Sequence, residues 1–212
     1  MKKPDPKDKK KPRVPARSQP TPRGVPKAAI GKKPSVPSGD RYAHARSLIR
    51  DIPDFPRPGI LFKDITPMIA DPKGFHMVLD GLAELFIGDH IDVVAGVEAR
   101  GFIFGGALAA RLNASFVPLR KPGKLPAEVD RVSYDLEYGT AELEIHVDSI
   151  ESGAKVVIVD DLLATGGTAA AAGELVRRAG GYIAAYAFVV ELGFLKGRER
   201  LEPTPIMSLL KY

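Results

Sequence analysis

The residue types best suited to chemistry fall in one stretch, residues 156–168, VVIVDDLLATGGT. Val156, Val157, Ile158 and Val159 make a β-branched apolar run suited to a strand buried on both faces. Asp160 and Asp161 follow at its C-terminal end, and Ala164, Thr165, Gly166, Gly167 and Thr168 then open into an alanine-rich helix. Glycines allow a tight turn with exposed N–H groups, and a helix N-terminus adds about half a positive charge. The turn is therefore an anion cradle of phosphate size, with the Thr165 and Thr168 hydroxyls as extra donors. Two acids beside a phosphate seat need a partner of their own, which a ribose diol or a magnesium ion would supply. The order of strand, acid pair and cradle points to a ribose 5-phosphate. Taken alone, ATGGT is also compatible with a polar surface turn; the buried strand before it and the helix after it favour the cradle. No Lys follows the second glycine as in GxxxxGK[ST], and GxGxxG is missing here, so neither a P-loop nor a dinucleotide fingerprint is present.

Cations follow two other apolar runs. Arg100 sits in Gly96-Val97-Glu98-Ala99-Arg100-Gly101, where its fork of N–H donors suits phosphate oxygens. Arg120, Lys121 and Lys124 crowd five positions of a proline-stiffened loop, RKPGKLP, which suits a polyanion or a solvated charged surface.

The elements that must carry these residues alternate between strand and helix. A short helix is expected over 41–50, ended by Pro53. Asp71-Pro72 supplies an N-cap and first-turn proline for a helix whose apolar face is Phe75, Val78, Leu79, Leu82 and Phe86. Strands are expected at 91–97, 116–119, 155–159, 182–191 and 206–210, helices at 102–112 and 167–179, and a hairpin over 132–147. Such alternation implies an α/β fold with a parallel sheet covered on both faces, and ligands beyond the C-terminal strand ends.

With these motifs in place, the chain resembles the type I phosphoribosyltransferases, and within them the adenine phosphoribosyltransferases, over roughly residues 45–212. VVIVDDLLATGGT is similar to their signature for phosphoribosyl pyrophosphate (PRPP), and GVEARG to their pyrophosphate loop. FPRPGILFKDIT (55–66) looks like their base hood, and YDLEYGT (134–140) like their mobile catalytic loop. The resemblance implies a Rossmann-like fold, a mostly parallel central sheet flanked by helices, with a small hood and a flexible hairpin loop. It implies transfer of phosphoribosyl from PRPP to adenine, giving AMP and pyrophosphate in purine salvage. Ala164 to Thr168, Arg100, Arg120, Lys121 and Lys124 would bind PRPP, and Asp160 and Asp161 would hold the ribose. Leu61 and Lys63 would read the purine edge through their backbones while Phe62 stacks on its face, and Glu137 would assist proton movement. Magnesium is expected as cofactor, held mainly by substrate and water, so that no direct protein ligand is assigned. A homodimer is expected by resemblance only. Two departures stand out: Lys63 replaces a common Arg, and Ala99 replaces a Ser found in some members. Rival readings are a 6-oxopurine phosphoribosyltransferase and a PRPP-sensing regulator that binds nucleic acid.

Charge divides the chain sharply. Residues 1–40 hold 12 Lys and Arg against 3 Asp, with 9 of the 19 prolines, whereas residues 41–212 carry a net charge of −4. The basic segment is expected to be a disordered tail, solubilising or weakly and salt-sensitively bound to nucleic acid or anionic membrane. It lacks the apolar core of a signal peptide, and its prolines oppose an amphipathic presequence. Residues 41–212 suffice for one core. No apolar run is long enough to span a bilayer, there are no cysteines for disulfides or thiolate sites, and the four histidines show no ligand spacing. These features lead to the expectation of a soluble, cytoplasmic enzyme.

Overall fold

Parallel strands buried on both faces read as continuous apolar runs, and five such runs build the central sheet. The computed structural model describes residues 40–136 and 139–212. In order these form α1 (Ala43–Ser47), β1 (Arg50–Pro53), β2 (Leu61–Asp64), α2 (Thr66–Ala70), α3 (Pro72–Glu84), β3 (Val93–Val97), α4 (Gly101–Leu112) and β4 (Ser115–Leu119). They continue as β5 (Val129–Leu136), β6 (Gly139–His146), β7 (Lys155–Leu163), α5 (Gly167–Arg178), β8 (Tyr182–Glu191) and β9 (Ile206–Lys211), with two 3-10 turns between the last two strands. The basic tail up to residue 39 and the expected proton-transfer residue Glu137 lie outside the described residues.

The central sheet has the order β4-β3-β7-β8-β9, and every neighbouring pair is parallel. Chain travel from β3 runs outward to β4, and from β7 outward the other way to β8. The C-terminal ends of β3 and β7 therefore flank a topological switch point, where crossover connections diverge and leave a crevice. Helices α3 and α4 cover one face, with Val78, Leu82, Phe104 and Leu108 packed near Val94, Val157 and Val159. The other face is covered by α5 and the antiparallel β5–β6 hairpin, where Leu175, Val176, Leu143 and Ile145 join Val93, Val156 and Ile158. Asp71 caps α3 as expected, its side chain accepting from the Gly74 N–H at 2.6 Å.

Two expectations about elements need correction. The helix expected over 41–50 spans only Ala43–Ser47, and Arg50–Pro53 is instead a strand paired antiparallel with Leu61–Asp64. Cross-strand pairing overrides local helix preference there: Arg50 meets Asp64 at 2.6 Å and Lys63 meets Asp51 at 2.5 Å. The strand expected over 155–159 continues to Leu163, because β8 supplies backbone partners as far as Leu163↔Glu191. Asp160 and Asp161 thus lie within the strand instead of following it.

Candidate active site

The cradle forms where β7 gives way to α5. Gly166 caps α5 with φ of +81°, and no side chain caps the helix. Its first-turn N–H groups lack intrahelical acceptors by helix geometry, and the helix begins just beyond the C-terminal end of β7. Glycine is required at 166 twice over, since a Cβ there would also stand 2.5 Å from the Gly197 carbonyl oxygen. Thr165 and Thr168 are half-buried, and the Thr168 hydroxyl lies 3.4 Å from the Tyr134 hydroxyl of β5.

The acid pair sits immediately before the cradle. Asp161 is 5% exposed and accepts a hydrogen bond from Arg100 Nε at 2.5 Å. Asp160 accepts from the Asp161 N–H at 2.9 Å and lies under the start of α4, so that a Cβ on Gly101 would come within 3.0 Å of its Oδ1. Burial, reinforced by the neighbouring Asp161 charge, pushes the Asp160 carboxyl well above the usual carboxylate range. Arg100 occupies the N-cap position of α4. Burial pulls its pKa down, and this is outweighed by the Asp161 hydrogen bond and by the charges of Asp161, Asp160 and Asp64, so the net shift is upward.

The hood reaches the same place. The Arg100 guanidinium lies 5.8 Å from the centroid of the Phe62 ring, which meets Phe55 edge-on at 5.1 Å. Phe62, Arg100 and Asp161 are therefore linked in sequence of contact, and Asp160 and the cradle adjoin them along β7. Leu61 is 48% exposed at the hood's rim. The Lys63 side chain turns away, pairing with Asp51 and standing 4.2 Å from the Tyr212 ring centroid. The Lys63 side chain, which stands where the family commonly has Arg, is thus engaged with Asp51 and Tyr212.

The basic loop is more structural than its composition implied. Arg120 donates from Nε to Glu98 at 3.1 Å and from Nη1 to the Lys124 carbonyl at 3.1 Å, and its guanidinium lies 5.8 Å from the Phe102 ring centroid. Glu98 also accepts from the Lys121 N–H at 3.0 Å. Burial raises the Glu98 carboxyl, and the donors of Lys121 and Arg120 more than reverse that, leaving it lowered and ionised. Glu144, 2% exposed, accepts from the Gly123 N–H at 2.9 Å and pairs with Arg131. Lys121 and Lys124 are exposed. Glu98 and Glu144 sat inside motifs read from the sequence, yet their clasping roles carried no local signal, because each depends on a partner more than 20 residues away.

Comparison with known proteins adds to this geometry. A family model described as a phosphoribosyl transferase domain matches residues 68–204, which hold the cradle, the acid pair, Arg100 and the basic loop. An adenine phosphoribosyltransferase of Sorangium cellulosum is 61% identical over 183 residues, covering 84% of this chain and 92% of that protein. The chain belongs to the adenine phosphoribosyltransferases. Among solved structures of that family, the Thermoanaerobacter pseudethanolicus enzyme is 51% identical with a TM-score of 0.79, covering 81% of this chain and 99% of its own. The Saccharomyces cerevisiae enzyme, complexed with adenine and D-2,5-dideoxy-2,5-imino-altritol 1,6-bisphosphate, is 43% identical with a TM-score of 0.75, covering 80% of this chain and 98% of its own. The fold expected from the motifs, a type I phosphoribosyltransferase sheet flanked by helices, is the one observed. The antiparallel pair β1–β2 precedes the span that the broader family model matches.

Proposed function

We infer that this chain transfers the phosphoribosyl group of PRPP to adenine, releasing AMP and pyrophosphate, as in purine salvage. The observation that carries the reading is the contact of the hood with the sugar site: Phe62 lies beneath Arg100, and Arg100 lies on Asp161, beside a phosphate cradle. A base, a ribose, a 5-phosphate and a pyrophosphate then each meet suitable residues in the order that PRPP chemistry requires.

Each part has a defined task in this reading. The N–H groups and hydroxyls from Ala164 to Thr168 receive the 5-phosphate, and Asp160 and Asp161 receive the ribose hydroxyls. Arg100 must leave Asp161 to reach pyrophosphate, so one exchange frees the acid for sugar and the cation for the leaving group. Lys121 and Lys124 extend that positive surface, and Arg120 holds the loop's shape through Glu98. The backbones at Leu61 and Lys63 read the adenine edge against the Phe62 face. The anomeric C–O bond breaks with its electron pair departing on pyrophosphate, N9 of the purine forms the new bond, and the purine sheds one proton. Glu137 assists that proton on the strength of its sequence motif. Closure of the 132–147 hairpin excludes water as a competing nucleophile. Catalysis comes mainly from positioning and from cations waiting where charge develops.

A magnesium ion fits the donor set. Among the described residues no group of three or more His, Cys, Asp or Glu side chains could hold a metal. The ion would be held mainly by substrate oxygens and water, as magnesium's reluctance to dehydrate favours, with Asp160 and Asp161 as the acids at the sugar, and it would supply neutralisation of pyrophosphate charge. We also propose a homodimer, a cytoplasmic setting, residues 41–212 as the catalytic domain, and weak nucleic-acid contact by the tail. No helix among the described residues is long and apolar enough to cross a membrane.

The test is incubation of the purified chain with adenine, PRPP and magnesium, following AMP and pyrophosphate. One-to-one formation of both is expected, with guanine and hypoxanthine poor substitutes. No AMP, or a preference for a 6-oxopurine, would overturn the reading.

A further inference from the structure

One motif has no task in the reaction just described: Glu191-Leu192-Gly193-Phe194-Leu195-Lys196-Gly197-Arg198, which leaves the end of β8. Glu191 is 4% exposed, and Arg198 forks onto it from the 3-10 turn Gly197–Arg200, Nε to Oε1 at 2.5 Å and Nη2 to Oε2 at 2.6 Å. The same guanidinium donates to Ser208 Oγ at 2.8 Å and to the Ile206 carbonyl at 3.0 Å, both on β9. Ser208 also donates to Glu191, and Lys211 Nζ stands 3.7 Å from it. Arg198 is thereby fixed in position and direction by four acceptors.

The residue before it touches the cradle. A Cβ on Gly197 would collide with the Ala164 carbonyl oxygen and lie 3.0 Å from Leu163 Cδ1, while a Cβ on Gly166 would lie 2.5 Å from the Gly197 carbonyl oxygen. Turn and cradle therefore meet backbone against backbone, and the Leu192 N–H donates to the Leu163 carbonyl at 2.9 Å just below. Any shift of the turn is passed directly to Ala164 and Gly166. With Glu191 buried and Arg198 half-buried, desolvation offsets much of the pair's attraction, whereas a bidentate fork sets geometry well.

We propose that the Arg198–Glu191 pair positions the 5-phosphate cradle, holding Gly197 against Ala164 and Gly166 and thereby setting affinity for the ribose 5-phosphate end of PRPP. Neither residue touches substrate; they are positioning residues. The inference rests on the assignment of Ala164–Thr168 as the phosphate seat.

Two variants test it, Arg198→Lys, which keeps the charge and loses the fork, and Gly197→Ala, which pushes the turn directly against the cradle. In each, KM for PRPP and the dissociation constant of ribose 5-phosphate by calorimetry should rise about 10- to 100-fold, as small misplacements do. KM for adenine should stay within about twofold. A purely structural role would instead move both substrates and turnover together, and that pattern, or unchanged ribose 5-phosphate affinity in folded variants, overturns the proposal. Should Arg198→Lys fail to fold, Gly197→Ala and Ser208→Ala give the same readout. Wild-type protein that binds ribose 5-phosphate but makes no AMP would sink the functional reading and leave this one standing.

Discussion

Asp160 and Asp161 are adjacent in sequence yet placed in different electrostatic company. Asp161 has a cation, Arg100, at hydrogen-bond distance, whereas Asp160 is half-buried, and desolvation with a like charge beside it holds its carboxyl well above the usual value of 3.8. An acid whose folded pKa is raised contributes nothing to pH dependence while both states are protonated. As pH climbs past the ordinary value, the unfolded chain ionises first and stability falls. Asp160→Asn keeps an acceptor for the Asp161 N–H and removes that penalty. Its melting temperature should match wild type below about pH 3 and exceed it as pH rises past the ordinary carboxylate value, as thermal scans across that range would show, while AMP formation falls. Asp161→Asn weakens the grip on both ribose and Arg100, and its turnover should drop on the order of 100-fold with adenine affinity retained. Steady-state rates and adenine titration check this, and unchanged turnover would remove the acid pair from the mechanism. Residue types and spacing singled out the acids, the cradle and Arg100, the family resemblance singled out Phe62, and the fold brings these residues together. The side-chain settings of Lys63 and Arg120 were not legible in the sequence, because whether a cation faces substrate or a carboxylate is decided by Asp51 and Glu98 on other elements.

Among elements, the join of β7 and α5 matters most, since a strand end, a left-handed glycine and a helix N-terminus coincide there. Gly166→Ala places a Cβ on a backbone of positive φ, which costs about 1–3 kcal/mol, and drives it against the Gly197 carbonyl. The expected result is a lower melting temperature and a raised KM for PRPP, with adenine binding little changed; calorimetry and initial rates would separate the two effects. Most elements were legible because their apolar periods are long and unbroken, as in α3, α4 and β8. The hood strands were not. Arg50-Asp51-Ile52-Pro53 and Leu61-Phe62-Lys63-Asp64 are short and charged, and each is a strand only because the other pairs with it. The extension of β7 through two carboxylates was hidden for the same reason, as partners on β8 hold it and its own composition does not.

At the scale of the molecule, crossovers diverge from β3 and β7 at the switch point, and a hydrophobic core lies on either face of the sheet. Strand-helix alternation foretold the parallel sheet; strand order depends on long-range pairing that no local pattern encodes. Charge adds a second division. Asp40 accepts from Arg46 at 2.7 Å, and every contact described above lies within residues 40–212, which a chain lacking residues 1–39 retains. That chain retains 19 Lys and Arg against 24 Asp and Glu, reversing the sign of the full chain's net charge of +5. Binding to a polyanion through clustered cations is salt-sensitive and scales with the number of cations engaged. The truncated chain should pass through a heparin or RNA column at low salt, the full chain should be retained and released as salt rises, and their rates of AMP formation should agree within about twofold. Equal retention would assign polyanion binding to the exposed basic loop at Lys121 and Lys124, and a large loss of activity would place the tail in the catalytic site.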